Sequence, residues 1–118
     1  MILVDTSVWV DHLRRSNTKL SALLEEGQVA CHPFVIGELV LGNLRRGSEV
    51  PDLLAALPSV DMADHDVVMV FVAVNVPARS GIGWVDAHLL CSAALSGAKI
   101  WTLDRRLRSV AESSGLQG

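Results

Sequence analysis

The sequence predicts an α/β protein, a small three-layer α/β/α sandwich around a central parallel sheet of about four strands. Short apolar segments of strand composition alternate along the chain with segments of helical spacing. The helical segments are long enough for right-handed crossovers, which bring successive strands into a parallel sheet covered on both faces. Half of the 118 residues are hydrophobic, which suffices for one core and leaves no room for a second. We therefore predict a single domain over residues 1–118.

The first strand and the first helix follow from the N-terminal segment. Residues 1–4 are apolar, as expected of a short strand buried in a sheet. Residues 7–15 place apolar side chains at helical spacing, and Asp5 or Thr6 has the oxygen needed to cap the helix N-terminus. We expect the helix to begin directly after the strand, with a carboxylate at the junction.

A second short helix and a second strand come next. The helix begins at Asn17 or Thr18, both of which are good caps, and stops at Gly27. Residues 29–31 are again apolar and β-branched or small, which is typical of a strand.

Proline and glycine define the elements in the middle of the chain. Pro33 suits the first turn of a helix, which we predict to run to about Arg46 and to stop at Gly47. A short helix is predicted over residues 53–57, and a third strand over residues 59–62.

The second half of the chain starts with an ambiguous segment, residues 66–76, after a capping Asp64. Its β-branched residues favour a strand, whereas its place in the alternation favours a helix, and we predict a helix. The remaining predicted elements, in order, are a loop at 77–83, a helix at 84–97, a strand at 99–103 and an amphipathic helix at 104–115.

Several features of the sequence predict the cellular compartment of the protein. The N-terminal segment has no basic start and carries Asp5 and Asp11, so it does not resemble a secretory signal. The longest apolar stretch, residues 67–74, is far shorter than the ~20 residues that cross a bilayer. Cys31 and Cys91 lie among apolar residues without metal-ligand spacing, so we expect reduced core thiols. These features predict a cytoplasmic protein with no membrane association.

Acidic side chains follow the predicted strands. Asp5 comes directly after the first strand, Asp104 directly after the last, and Asp86 lies in the first turn of its helix. In parallel sheets, strand ends of the same polarity share one edge, and ligands bind there. Each of the three is also explained singly as a helix cap or first-turn acid.

Glu38 is a fourth acidic candidate, and it stands in the middle of an apolar helix. We expect it on the core-facing stripe, where an ionised carboxylate costs several kcal/mol unless a cation meets it. The alternative is that it lies on the solvated face. Four carboxylates in one cleft would repel each other unless a divalent cation lay between them, and oxygen ligands favour Mg²⁺ or Mn²⁺. Such an ion takes phosphate oxygens as further ligands, which points to cleavage of phosphodiester bonds.

Four sequence blocks carry a resemblance to a known family. In order they are "ILVDTSVWVDHL", "VIGELVLGNLRRG", "GIGWVDAHLLCSA" and "IWTLDRRL". Each block alone is a weak motif, but together they extend from residue 2 to about residue 110. The chain resembles a PIN-domain ribonuclease of the VapC type, the toxin of bacterial toxin–antitoxin pairs.

The resemblance implies a site, a cofactor and partners. Asp5, Glu38, Asp86 and Asp104 match the acidic quartet of the family, which implies catalytic and metal-binding roles for all four. Auxiliary hydroxyls at that site are expected from Thr102 and from Thr6 or Ser7. The cofactor would be Mg²⁺ or Mn²⁺, the substrate RNA, and the partners a cognate antitoxin and a second copy of the chain. One departure is that the chain ends in "GLQG", which leaves little for the edge strand that many relatives carry last.

The net charge of −3 does not exclude RNA binding. Setting aside the four site acids leaves nine acidic residues against ten Lys and Arg, a balance of +1. Arg79, Arg105 and Arg106 lie close to the predicted site in the chain, so we expect them to contact phosphates, although solvated helix ends are an equal alternative. Aromatic residues are only 4% of the chain, so RNA is expected to be held through its backbone, with Trp84 the one tryptophan placed to contact a base.

Two functional classes stay open. The first is the metal-dependent endoribonuclease, and the second is a PIN-like protein-binding or RNA-binding scaffold without turnover. Loss of a site acid is the usual mark of such a scaffold, and all four acids are present. A mean hydropathy of +0.38 further suggests an apolar interface, for self-association or for an antitoxin helix.

Overall fold

The structure is a computed structural model that describes residues 1–42 and 44–118. Within this part of the chain, three strands form one sheet and seven helices flank it, as the predicted α/β sandwich requires. The elements, in chain order, are β1 (Ile2–Val4), α1 (Thr6–Arg15), α2 (Thr18–Glu25), β2 (Val29–Ala30), α3 (Pro33–Gly42), α4 (Val50–Ala55), α5 (His65–Asn75), α6 (Trp84–Ser96), β3 (Lys99–Trp101) and α7 (Arg105–Ser113).

The sheet is parallel and has the order β2-β1-β3, so the first strand lies in the centre. Leu3 of β1 is paired with Ala30 on one side and with Ile100 on the other. These residues are almost completely buried, which explains why β1 and β2 are wholly apolar and why β3 is apolar after the exposed Lys99.

The strand predicted at 59–62 is reduced to a single bridge beside β2, and a second single bridge lies beside β3. On the β2 side, Cys31 is bridged to Ser59, and its N–H donates to the Pro58 carbonyl at 2.8 Å. On the β3 side, Ile100 is bridged to Gln117, and its N–H donates to the Leu116 carbonyl at 2.7 Å. The predicted strand at 59–62 is therefore one bridge long, and the "about four" strands are three strands with a bridge at either edge.

Two predicted helix boundaries in the middle of the chain are wrong. Helix α3 ends at Gly42 rather than near Arg46, and one residue of the predicted extension, Asn43, lies outside the described residues. A continued helix would place Leu44 on the face of Leu41, which is 91% exposed, whereas Leu44 packs against the core. Helix α4 covers Val50–Ala55 instead of 53–57, because Pro51 lies in the first turn of the helix rather than preceding it.

The segment of ambiguous composition is a helix, as the alternation of strands and helices predicted. Residues 65–75 form a helix, α5, in spite of their β-branched composition, because Val68 and Ala87 of α6 lie in one small buried cluster. Asp64 takes the cap position of α5, but its side chain makes no capping hydrogen bond. Strand β3 ends at Trp101, two residues earlier than predicted. Thr102 therefore lies beyond the strand, where its hydroxyl donates to Asp5, the residue after β1.

Helix α6 is the most deeply buried helix. Residues 87–93 are all buried, since α6 packs against both β3 and α5. Both cysteines are free and buried, as predicted, and burial raises the pKa of the Cys31 thiol to about 11, so it stays protonated. Among the described helices, none is long and apolar enough to cross a bilayer.

Candidate active site

The pairing of β1 with β3 brings Asp5 beside Thr102. Val4 is paired with Trp101, and one residue further the Asp5 N–H donates to the Trp101 carbonyl at 2.9 Å. Both strands end here, and the backbone at Asp5 turns into α1. The edge predicted from the strand ends is therefore the edge at which these polar side chains meet.

Asp5 is a buried carboxylate held by two hydroxyls. Only 5% of the residue is exposed, and its Oδ2 accepts hydrogen bonds at 2.7 Å from both Ser7 Oγ and Thr102 Oγ1. The Ser7 N–H is a further, longer donor at 3.4 Å. Within the described residues, every hydrogen bond to this carboxylate goes to Oδ2, so Oδ1 is the atom available to a ligand.

The two hydroxyls are themselves positioned by the backbone that follows β3. The Leu103 N–H donates to Ser7 Oγ at 2.9 Å, and the Asp104 N–H donates to Thr102 Oγ1 at 3.0 Å. Each hydroxyl has one proton, which goes to Asp5, so the 3.2 Å approach between the two hydroxyl oxygens is a packing contact. Two backbone N–H groups thus polarise the hydroxyls that orient the carboxylate.

Replacing Thr102 by Val tests this network. Valine keeps the shape of the side chain but leaves a buried carboxylate with one donor fewer, so we expect the free energy of unfolding to fall by about 1–3 kcal/mol. Denaturant titration followed by circular dichroism measures the change. Thr18→Val, at the exposed start of α2, is the matched control, and an equal loss in both variants would contradict the network.

Glu38 does not lie on the core-facing stripe. Val35 and Leu39 occupy the buried face of α3, so Glu38 lies on the exposed side of the helix. Its Oε1 accepts a 2.6 Å hydrogen bond from Thr6 Oγ1, at the first position of α1. The expectation of a core-facing carboxylate is therefore wrong, because the packing of Val35 and Leu39 sets the rotation of α3.

Asp86 is half-buried in the first turn of α6. Its Oδ2 accepts the Gly83 N–H at 3.2 Å, which closes the capping interaction of the helix. Burial raises the pKa of this carboxyl above its usual value, the Gly83 N–H lowers it, and the negative charges of Asp5, Asp104 and Glu38 raise it further. The Asp86 carboxyl thus lies within the electrostatic reach of the other three.

Asp104 is exposed and caps α7. Its Oδ1 accepts the Leu107 N–H at 3.0 Å. Asp5, Asp86 and Asp104 therefore do act as caps, which was the alternative explanation for each of them, and they lie at one edge as well. The two explanations are compatible because helices begin where parallel strands end.

The basic side chains near this edge are exposed and leave the four carboxylates without an ion pair. The one ion pair within residues 1–42 and 44–118 joins Arg15 to Asp11 on α1, and it includes none of the four carboxylates. Arg79, Arg105 and Arg106 are all exposed. The sequence pattern did not single out Arg108, whose Nη2 donates to the Thr102 carbonyl at 3.3 Å; its spacing of one helical turn from Asp104 was the available signal.

The four carboxylates offer the oxygen ligands that a hard divalent cation prefers, but in this arrangement they do not form a complete ligand set. No three Asp, Glu, His or Cys side chains of the described residues converge tightly enough to hold a metal ion. Glu38, Asp86 and Asp104 each accept a hydrogen bond from a nearby hydroxyl or backbone N–H instead. Cation binding would therefore require these side chains to leave the hydrogen bonds that they accept here.

A comparison with protein families matches residues 2–113 to the model described as "PIN domain". The chain belongs to the PIN-domain family. This PIN domain is also similar to two curated proteins, both named "Ribonuclease VapC32", from Mycobacterium tuberculosis strains CDC 1551 / Oshkosh and H37Rv. Each is 45% identical to it over 117 residues, which cover 98% of this chain and 94% of the relative. The resemblance to the VapC type, predicted from the four sequence blocks, is confirmed.

Proposed function

We propose that this PIN domain, over residues 1–118, is a Mg²⁺- or Mn²⁺-dependent endoribonuclease of the toxin class. The observation that carries the proposal is the charge on one sheet edge. Asp5, Glu38 and Asp104 all raise the pKa of Asp86, and no Lys or Arg within residues 1–42 and 44–118 forms an ion pair with any of the four. Carboxylates that repel each other and have no basic partner are stabilised in their charged form by a bound cation. The names of the two relatives supply the substrate, RNA.

The four carboxylates would have different tasks in holding the ion. Asp5 and Asp86 are the proposed direct ligands, since Asp5 Oδ1 has no partner among the described residues and both carboxylates are at least half-buried. Glu38 and Asp104 are exposed, which suits contact with the ion through water or orientation of the attacking water. A divalent cation at such a site supplies water activation and positive charge opposite the phosphate.

The hydroxyls and arginines complete the proposed site. Ser7 and Thr102 fix Asp5, and Thr6 fixes Glu38, so these side chains act as positioning residues. Arg79, Arg105 and Arg106 are proposed to contact RNA phosphates beside the carboxylates. Their exposure and lack of ion pairs in the described chain leave the guanidinium groups available for this.

The proposed partners are a VapB-like antitoxin and a second copy of the chain, in the cytoplasm. Exposed apolar side chains favour protein partners, since α5 presents Met69, Val70 and Val74 to solvent. A catalytically silent scaffold is the second candidate. Turnover of RNA by the purified chain separates the two, because a scaffold binds without cutting.

The test of the proposal is cleavage of single-stranded RNA by the purified chain with and without Mg²⁺. We expect cleavage with the metal and none without it. Mapping of 5′ ends after brief expression in cells, beside the Asp5→Asn variant, would give the cleavage sites. RNA binding with no metal-dependent cut in either assay would favour the scaffold.

Replacing Thr6 by Val is expected to slow RNA cleavage by about two- to tenfold, which corresponds to the ~0.5–1.5 kcal/mol of one ordinary hydrogen bond, since this one is exposed to solvent. The loss arises because the Glu38 carboxylate is then free to rotate away from the other three. Single-turnover kinetics measure it. Thr18→Val, also at the first position of a helix, is the control. An unchanged rate in Thr6→Val would exclude a positioning role for the hydroxyl.

A further inference from the structure

A cavity of about 290 Å³ opens at the start of α6, and none of the four carboxylates lines it. Its walls come from the end of α5, the loop 77–83 and the first turn of α6. Val72, Ile82 and Ala87 make these walls apolar, Trp84 adds an aromatic ring, and Ser80 adds a hydroxyl. Neither Lys, Arg, Asp nor Glu lines it, so the cavity suits a flat, mostly apolar group rather than a phosphate.

The start of α6 contributes both to the cavity and to the sheet end at which the four carboxylates lie. Gly83 lines the cavity, and its N–H donates to the Asp86 carboxylate at 3.2 Å. Ala87 also lines it and follows Asp86 directly in the chain. The cavity and the Asp86 carboxylate are thus both built on the start of α6.

Trp84 presents its ring at this cavity in a supported orientation. It is 41% exposed, whereas Trp9 and Trp101 are only 4% and 9% exposed. The His88 ring packs against it at 4.9 Å in a T-shaped arrangement, and the His65 ring lies at 5.2 Å. These two contacts limit the motion of the indole and so reduce the entropy that a ligand must remove on binding.

Positive charge lies next to the cavity rather than inside it. The loop residue Arg79 is exposed, with a backbone φ of 64° that turns the chain sharply. Arg106 of α7 passes so close to Gly81 that a Cβ there would lie 2.8 Å from its Cδ. Arg79 thus belongs to the loop that lines the cavity, and the Arg106 side chain lies against the same loop at Gly81, which suits a base whose neighbouring phosphates are anionic.

We propose that the cavity beside Trp84 binds one unpaired nucleobase of the RNA substrate, next to the scissile phosphate. The inference rests on the proposed ribonuclease function and adds a subsite to it. Contact between an aromatic ring and a base tolerates different base identities, so this subsite selects unpaired RNA first and sequence second. It also modifies the expectation that RNA is held through its backbone alone.

Tryptophan fluorescence tests the subsite without relying on cleavage. In an Asp5→Asn background, which we expect to bind RNA without cutting it, single-stranded oligoribonucleotides of each base are expected to quench the exposed Trp84. A chain of the same length with abasic riboses should not quench it. Trp84→Ala should weaken RNA binding by about tenfold, the loss of one stacked base, and Trp84→Phe by less.

Two further variants sharpen the test. Ala78→Leu fills the mouth of the cavity from an exposed position and should weaken binding like Trp84→Ala. Leu95→Ala removes an exposed apolar side chain at the far end of α6 and should leave binding unchanged. Circular dichroism melting confirms that each variant is folded.

The outcomes separate the subsite from the function. If the wild-type chain cuts RNA with Mg²⁺ but Trp84→Ala and Ala78→Leu bind RNA as tightly as it does, the subsite is overturned and the ribonuclease stands. If these variants lose binding of a protein partner and keep that of RNA, the cavity takes a protein side chain and the inference is equally overturned. If the wild-type chain neither binds nor cuts RNA, the proposed function fails and the subsite with it.

Discussion

Replacing Asp5 by Asn is expected to abolish metal-dependent RNA cleavage while the protein stays folded. The rate should fall by more than about a hundredfold, since even the loss of an outer partner of a metal ligand costs 10- to 100-fold. Asparagine has the same shape, and it is as good a helix cap as aspartate, so α1 keeps its N-terminus. The hydroxyls of Ser7 and Thr102 can rotate to accept from the new amide. Cleavage of a labelled single-stranded RNA in Mg²⁺ measures the effect.

The matched control for Asp5→Asn is Asp52→Asn. Asp52 lies in the first turn of α4 and is exposed, so its removal changes the net charge equally without touching the acidic edge. We expect wild-type cleavage from the control and wild-type melting from both variants. Retained cleavage by folded Asp5→Asn would mean that the reaction does not use this edge of the sheet.

The strands and the edge at which they end could be predicted because parallel sheets follow local rules. An apolar run as short as residues 1–4, ending in Asp5, is legible from hydropathy alone. Right-handed crossovers then bring all strand ends of one polarity together, so Asp5 and Asp104 were expected at the same edge. The two bridges at Ser59 and Gln117 were harder to predict, since a single pair of hydrogen bonds leaves no periodic pattern.

The contacts of Glu38 could not be predicted in the same way. Which side of α3 faces the core is decided by how Val35 and Leu39 pack, because nearly every residue of that helix is apolar and the sequence has no clear polar face. The hydrogen bond from Thr6 joins residues 32 positions apart and depends on the approach of α1 to α3. The position of Asp5 and Asp104 after their strands could thus be predicted from the sequence, whereas the hydrogen-bond partners of the acids required the fold.

Removal of divalent metal is expected to stop cleavage and to lower the stability of the chain. With Glu38, Asp86, Asp104 and Asp5 at one edge, a bound cation relieves mutual repulsion in the folded state only, since unfolding separates the four charges. At a concentration a hundred times its dissociation constant, such a ligand stabilises the fold by about 2.7 kcal/mol. We therefore expect EDTA to abolish cleavage, and Mg²⁺ or Mn²⁺ to restore it and to raise the melting temperature.

Two comparisons make the metal prediction specific to the acidic edge. Sodium chloride at equal ionic strength should raise the melting temperature less than Mg²⁺ does, because Na⁺ only screens the repulsion between the carboxylates, whereas a divalent cation is bound by their oxygens. Asp5→Asn should lose most of the rise caused by Mg²⁺, whereas Asp52→Asn should keep it. Full cleavage in EDTA, or an equal rise in both variants, would show that the four carboxylates at the ends of β1 and β3 and on α3 and α6 do not act as one cation site.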